Sequence, residues 1–266
     1  MTRSSEGAPA ATEGKPAWEL CLGPEAADNT LYHEAFNGTL CTILRRPPRR
    51  VLELGCAGGR LGAHLKSLHP DAAVTGIEMS AAAAAIARTR LDKVIERRLE
   101  EIDFDAEGIA PGSVDTFIAG DVLEHMVDPW HALVRIRHLL APDAQVAVSV
   151  PNVRNLRVHA QLHNQGSWRY DTHGLLDITH LRFFAMQDAA RMLDETGYAV
   201  QDVKGTVDPV LAELFRANAG KPSVSLQAGR LRLDNLTVAE LQEYCTLQWV
   251  LLATPKPAAA NDPSAA

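Results

Sequence analysis

The chain has 266 residues, 46% of them hydrophobic and 22% charged, enough apolar material for one sizeable core or two smaller ones. Its 33 acidic against 26 basic residues give a net charge of -7, which excludes a general electrostatic attraction to nucleic acid or to an anionic membrane. With no run of 18 apolar residues and no apolar stretch over Met1–Pro16, neither a membrane-spanning helix nor a signal peptide is expected.

The first 17 residues are mostly Ala, Gly, Ser, Glu and Pro, and the last twelve run PKPAAANDPSAA. Both are expected to be disordered tails, because neither holds enough large apolar side chains to offset the entropy of ordering. Residues 18–50 are expected to form a helical cover, with Tyr32, Phe36, Leu40 and Ile43 in helix-like stretches. The RRPPRR run at 45–50 ends any such helix, since its prolines lack donors and bar the α conformation before them. It reads as a solvated linker, with a nucleic-acid contact as the alternative.

From Val51 the pattern becomes rhythmic. VLEL (51–54) is a short apolar strand ended by GCAGG, and 60–68 is a helix with Leu61, Leu65 and Leu68 on one face. AAVTGIE (72–78) is the next strand, and Ser80 caps a helix over AAAAAIARTRL. KVIERRL and SVDTFIAG (113–120) are the third and fourth strands. A helix then starts on Pro129 and continues to Leu140, and QVAVSV (145–150) is a fifth strand stopped by Pro151. The rhythm fails for some thirty residues, then a helix is predicted at 187–195 and strands at YAVQDV (198–203) and LQWVLLAT (247–254). Residues 206–245 between them exceed a simple connection and read as a partly helical insertion (PVLAELFRAN, TVAELQEY) that carries binding function or covers a site.

Strand and helix alternate, so the predicted architecture is α/β: a doubly wound, mostly parallel, Rossmann-like sheet of seven strands with helical additions. A single domain is expected over 18–254, with a cofactor-binding core at 51–205 and the last strand at 246–254. The scattered cysteines Cys21, Cys41, Cys56 and Cys245 show no paired spacing and fit free thiols in a reducing cytoplasm.

The chemistry is concentrated after the strands. Gly55, Ala57, Gly58 and Gly59 follow the first strand and precede a helix, where small residues let a ligand approach the backbone and the helix N-terminus offers free N–H groups. Glu53 lies inside that strand, where a carboxylate is costly unless paired. Glu78 ends the second strand, close to the roughly 20-residue spacing at which an acid meets a ribose. A nucleoside-bearing ligand is implied. A dinucleotide fits poorly, because no placement of the glycines satisfies G-x-G-x-x-G.

The arrangement E-x-G-x-A-x-G resembles motif I of the class I S-adenosylmethionine-dependent methyltransferases. AGDVLEHMVDPWHAL (119–133), SVPNVRNL (149–156) and GLLDITHLRFF (174–184) resemble a bacterial subgroup of that family found among glycan and secondary-metabolite genes. The resemblance spans Val51 to Tyr198 and implies S-adenosylmethionine held by Glu53, Gly55, Cys56, Ala57, Gly59, Glu78, Met79, Asp121 and Val122. Ala57 stands for the usual middle glycine and adds a methyl that the turn tolerates. Where the family carries an acid near the adenine amino group, this chain has Arg98, followed by Glu100, Glu101 and Asp103.

His125, at the tip after the fourth strand, is the first candidate for a general base, since its ordinary pKa suits proton removal from a hydroxyl near neutral pH. A capping or packing role in the DVLEH turn is the alternative. His180 is the second catalytic candidate. With His173 and Asp177 it forms an i, i+4, i+7 set that shares one face if the stretch is helical. That set reads as a substrate wall, a second base or a loop anchor. No metal site is expected, because Gly174, Ile178 and Thr179 weaken the helix that such spacing needs. Phe183 and Phe184 read as core. Arg154, Arg157, Arg169 and Arg182 are a local cationic excess that either receives an anionic acceptor or makes ordinary surface pairs.

The sequence therefore predicts methyl transfer to a small molecule, at a hydroxyl of a sugar or secondary metabolite. The alternatives are methylation of a polysaccharide or lipid-linked glycan, and a catalytically silent cofactor-binding subunit. No nucleic-acid or membrane partner is expected, and a homodimer is compatible with the sequence.

Overall fold

Alternate residues of the central strands face opposite sides of the sheet. Val51, Ile118, Ala147 and Val250 pack with Leu61, Leu65 and Leu91 on one face. Leu52, Phe117, Val146 and Leu251 pack with Leu133, Ile136 and Leu193 on the other. Burial on both faces is why these strands read as unbroken apolar runs. The structure, a computed structural model, describes residues 21–22 and 36–257. The predicted N-terminal tail, most of the helical cover over 18–35 and the tail from residue 258 lie outside the described residues.

One helical turn, α1 (Thr39–Thr42), leads to β1 (Arg50–Leu54), α2 (Arg60–Leu68), β2 (Ala73–Glu78), α3 (Ala81–Ala87), β3 (Lys93–Glu96) and β4 (Val114–Gly120). Then come α4 (Pro129–Arg137), β5 (Leu140–Pro151), α5 (Leu156–Gln165), α6 (Met186–Glu195) and β6 (Tyr198–Val207). The chain ends with α7 (Ala212–Asn218), β7 (Val224–Ala228), β8 (Leu231–Leu236), α8 (Val238–Cys245) and β9 (Thr246–Pro255). The main sheet runs β3-β2-β1-β4-β5-β9-β6. Its first five members pair in parallel, and β9 is antiparallel to both β5 and β6. This is the predicted mostly parallel, doubly wound, Rossmann-like architecture. β1 and β4 are neighbours from which the chain winds in opposite directions, so a crevice opens beyond their carboxyl ends.

Local chemistry accounts for several boundaries. The Ser80 hydroxyl accepts from Ala83 N–H at the start of α3. Asp128 Oδ1 accepts from His131 N–H at 2.9 Å, with Pro129 in the first turn of α4. That helix ends at Arg137, earlier than predicted, because Val114 N–H and Leu140 already belong to the sheet.

Three sequence expectations are corrected or refined. The RRPPRR run is exposed at every residue but Pro48, as a solvated linker should be, yet it is also docked. Arg45 and Arg46 N–H donate to Gln145 Oε1, Arg46 pairs with Asp143, and Arg49 and Arg50 N–H donate to Asp115. The C-terminal boundary falls later than 254: β9 includes Pro255, and Lys256 Nζ lies 2.6 Å from Asp194 Oδ1. The 206–245 segment is not simply helical but holds the antiparallel β7–β8 hairpin between α7 and α8. Val224, Leu226, Leu236 and Leu241 pack there with Leu156, Leu211 and Cys245 into a small core of their own. Asn152 and Asn155 of the SVPN stretch fasten this unit to β5. Asn152 Nδ2 donates to the Glu243 and Thr246 carbonyls, and Asn155 Nδ2 to the Thr246 carbonyl and Asp208. The four cysteines are free.

Candidate active site

The turn after β1 is left-handed at three positions: Gly55 (φ 67°), Ala57 (φ 45°) and Gly59 (φ 75°). Gly55 and Cys56 N–H both donate to the Ile77 carbonyl, at 2.9 and 3.1 Å, which lays the turn against β2. A Cβ on Gly55 would come within 2.6 Å of Val122 Cγ2, so only glycine lets the segment after β4 approach this closely. Ala57 holds its conformation against a steric cost of roughly 1–2 kcal/mol. What restrains it is Glu78: Ala57 N–H donates to Oε2 at 2.9 Å, and Ser80 N–H to Oε1 at 2.8 Å. The predicted ribose acceptor is thus also a staple between the glycine turn and α3. Each of its oxygens keeps a second lone pair. Beside it Met79 is exposed, whereas Cys56 is buried and its thiol pushed up by that burial.

Glu53 is buried in β1 between Gly76 and Ile118, and its Oε2 has no hydrogen-bond partner. Burial, with a smaller contribution from Glu78, pushes its carboxyl up to about 8. The folded chain therefore keeps a proton that the unfolded chain releases near pH 4.5. Stability from this group is complete below that pH and is lost as pH rises to about 8. Glu53→Gln, which stays neutral, should gain roughly 2–4 kcal/mol on the native chain between pH 5 and 8, then hold that difference. Urea unfolding across that range measures it, and a difference independent of pH would mean that Glu53 ionises as an exposed carboxyl does.

At the tip of β4, Asp121 is also left-handed (φ 49°). Its Oδ1 accepts from Ser149 Oγ at 2.9 Å and its Oδ2 from Gln248 Nε2 at 2.8 Å. Burial nevertheless raises its pKa to about 6. Leu123–His125 then form a single 3-10 turn. The His125 side chain does not cap this turn but reaches the 171–184 loop. Its Nδ1 lies 3.0 Å from Thr179 Oγ1 and 3.3 Å from the Thr179 carbonyl, and Thr179 Oγ1 donates to Asp177 Oδ1 at 2.7 Å. With Thr179's hydroxyl hydrogen committed to Asp177, Nδ1 carries the proton that fits both acceptors, and the lone pair falls to Nε2. Burial lowers the His125 pKa, which favours this neutral form.

The loop itself is a series of turns, not the helix that the His173, Asp177 and His180 spacing would need. Gly174 is left-handed (φ 85°), and His173 is exposed. His180 instead faces His125, with ring centroids 4.7 Å apart and planes at 70°. The backbone clamps the two segments together, since Leu181 and Arg182 N–H both donate to the Glu124 carbonyl at 2.8 and 3.0 Å. Phe184 is core as expected, but Phe183 is half-buried and edges Trp168 and His180. Three of the four arginines are engaged internally: Arg154 with Glu243 and Tyr244, Arg157 with Asp208, and Arg182 with the Val127 carbonyl. Beyond β3, Glu100, Glu101 and Asp103 are exposed, as is Arg98, and Leu99 is the buried member of that turn. Thr179, Ser149 and Gln248 are contributors that sequence reasoning missed. The TH pair ahead of Leu181 was the available sign for Thr179.

Four carboxyl groups, Glu53, Glu78, Asp121 and Glu124, therefore gather at or just behind the carboxyl ends of β1, β2 and β4. S-adenosylmethionine brings two kinds of hydrogen-bond donor, an ammonium and a ribose diol, and a sulfonium charge, and a set of carboxyl acceptors suits all three. Fold and site together define a class I methyltransferase domain that takes S-adenosylmethionine.

Residues 52–146 match the family described as methyltransferase domain. The chain is similar to the ubiquinone biosynthesis O-methyltransferase of Burkholderia pseudomallei, 28% identical over 183 residues that cover 64% of this chain and 72% of that one. It is 29% identical over 184 residues to an uncharacterized 37.1 kDa protein in transposon Tn4556 of Streptomyces fradiae, covering 68% of this chain and about half (51%) of that protein. Among solved structures, a possible histamine N-methyltransferase of Thermotoga maritima superposes with a TM-score of 0.55 at 17% identity, over 90% of this chain and 93% of that one. The chain carries an S-adenosylmethionine-dependent methyltransferase domain. No helix among the described residues is long and apolar enough to cross a membrane.

Proposed function

We propose that the domain methylates a hydroxyl oxygen of a small molecule, a sugar or secondary metabolite. The observation that carries this reading is the Asp177–Thr179–His125 chain, which orients one imidazole that burial keeps neutral, four residues after Asp121 in the turn that follows β4. S-adenosylmethionine supplies a methyl on a sulfonium that is already activated by its charge. What the protein adds is alignment of the acceptor and an outlet for its proton. An amine that binds unprotonated needs no such outlet, whereas a hydroxyl does. The relatives named for ubiquinone O-methylation transfer to oxygen, in agreement with this assignment. Glu78 would hold the ribose, Glu53 and the Gly55–Gly59 turn the methionine end, with Asp121 and Val122 beside them. The half-buried Phe183, Trp168 and the β7–β8 unit would flank the acceptor.

The test is calorimetric titration with S-adenosylhomocysteine, followed by transfer of labelled methyl to panels of phenols, sugars and amines. Binding of the cofactor product with label passing to hydroxylated acceptors is expected. Transfer confined to amines, or binding with no transfer to any panel, would overturn the reading.

A further inference from the structure

We propose that Glu124, His125 and His180 form a site for one divalent first-row transition ion on the acceptor side of the cleft. This deepens the reading of that cleft as the place of methyl transfer and rests on it for its purpose, not for its geometry. One potential ligand atom from each residue lies within 4.8 Å of the other two. They come from two segments 55 residues apart in sequence, drawn together by the backbone bonds from Leu181 and Arg182 to the Glu124 carbonyl. The side chains are therefore not needed to hold the segments together.

Nor do they satisfy one another. Both Glu124 carboxylate oxygens are buried, on a residue only 1% exposed, with no partner on another residue, and His180 Nδ1 is buried too, with only the Leu175 backbone facing that ring as a hydrogen-bond partner. Glu124 Oε1 comes within 3.9 Å of His180 Nε2, too long for a hydrogen bond. Atoms that share one ion at about 2.0–2.2 Å each stand about 3–3.5 Å apart, which small side-chain rotations reach from here. Buried polar atoms left this way carry a penalty that a shared cation removes.

The surroundings of His125 have the form that a ligating histidine requires. Its Nδ1 is committed to Thr179, backed by Asp177, which fixes the ring and leaves Nε2 to coordinate. Two imidazoles and one carboxylate select ions such as Zn2+, Co2+ or Mn2+ over the oxygen-seeking Ca2+ and Mg2+. Three protein ligands leave positions open, where an acceptor hydroxyl would bind with its pKa lowered and lose its proton to water. In the ion-loaded chain His125 is thus a ligand, and its free Nε2 is the proton outlet only when no ion is bound.

The experiment uses the full chain, stripped with chelator, and titrates Co2+ and Zn2+ by calorimetry while following the visible Co2+ bands. One ion per chain is expected, with visible bands typical of nitrogen ligation. Thr179→Val, which removes a partner of a ligand, should weaken it by about 10–100-fold, and Glu124→Gln and His180→Ala, which remove ligands, by more. Exposed His163→Ala should bind as the native chain does. Because Glu124→Gln keeps shape and volume, it remains informative if His180→Ala fails to fold. The proposal is overturned if neither ion binds at millimolar concentration, or if both variants bind with native affinity. S-adenosylhomocysteine is titrated on the same preparations. Metal binding in a chain that does not take S-adenosylhomocysteine would sink the methyl-transfer reading and leave the ion site standing. The reverse result would sink the site alone.

Discussion

Replacing His125 by alanine should lower methyl transfer by roughly 10²–10⁴-fold while leaving S-adenosylhomocysteine affinity unchanged. The ring is held by Thr179, itself bonded to Asp177, in the loop after α5 and not by a hydrogen bond from the glycine turn. Its lone pair has to be free, so the native rate should fall at low pH as the ring protonates. Because burial lowers the His125 pKa, that acid limb should lie below the range of an exposed histidine. Protonation would block the lone pair from accepting a proton and from binding an ion alike, so the limb reports the group in either role. Thr179→Val removes the hydroxyl but leaves the carbonyl as partner, and should cost about 2–10-fold in rate, the worth of one ordinary hydrogen bond. Turnover against pH at saturating cofactor decides the matter. A His125→Ala enzyme with native rate and native pH profile would mean that alignment alone carries the reaction.

The second large effect belongs to Glu78. Glu78→Ala should weaken S-adenosylhomocysteine binding by 1.5–3 kcal/mol, about 10–150-fold, through loss of charge-assisted bonds to the ribose. The structure adds a consequence that the sequence does not: Ala57 and Ser80 N–H lose their acceptor, and Ala57 loses the bond that restrains its left-handed backbone. Thermal stability without ligand should therefore drop as well, by several degrees. Glu78→Gln keeps one acceptor oxygen but turns an amide donor toward an N–H group, so it should fall between the two. Calorimetry and thermal melts on the three proteins separate the ribose role from the staple role. Native affinity in Glu78→Ala would move the nucleoside away from the tip of β2.

Much of this was legible without coordinates, for reasons that particular residues make plain. VLEL, VDTFIAG and QVAVSV are strands buried on both faces, so most of their residues are apolar whichever way they point, and glycine or proline marks their ends. The left-handed turn after β1 demands small residues, so Gly55 and Gly59 show in the sequence, and Glu78 shows because it ends a strand. The β7–β8 hairpin went unread because it buries one face only. Val224 and Leu226 alternate with exposed Ser225 and Gln227, and Leu231 and Leu233 alternate with exposed Arg232 and Asp234 about the turn at Gly229. That period of two was the available signal, diluted by polar residues to the average of a surface segment. In the 173–180 stretch the i, i+4, i+7 spacing imitates a helical face, but Gly174, whose presence argued against a helix there, is left-handed and the face does not form.

By itself, then, the sequence determined the order of the main strands and helices, the glycine turn after β1 and the chemical types at the strand tips. These depend on local propensity and on periodic burial, which neighbouring residues express directly. Only the tertiary structure decided which tip residues meet. His125 and His180 are far apart in the chain, and what sets them 4.7 Å apart is the backbone clamp at Glu124. The same holds for the arginines after β5, whose partners Asp208 and Glu243 lie beyond β6 and on α8. Pairing of buried polar groups is a property of three-dimensional distance and desolvation, and a sequence states neither.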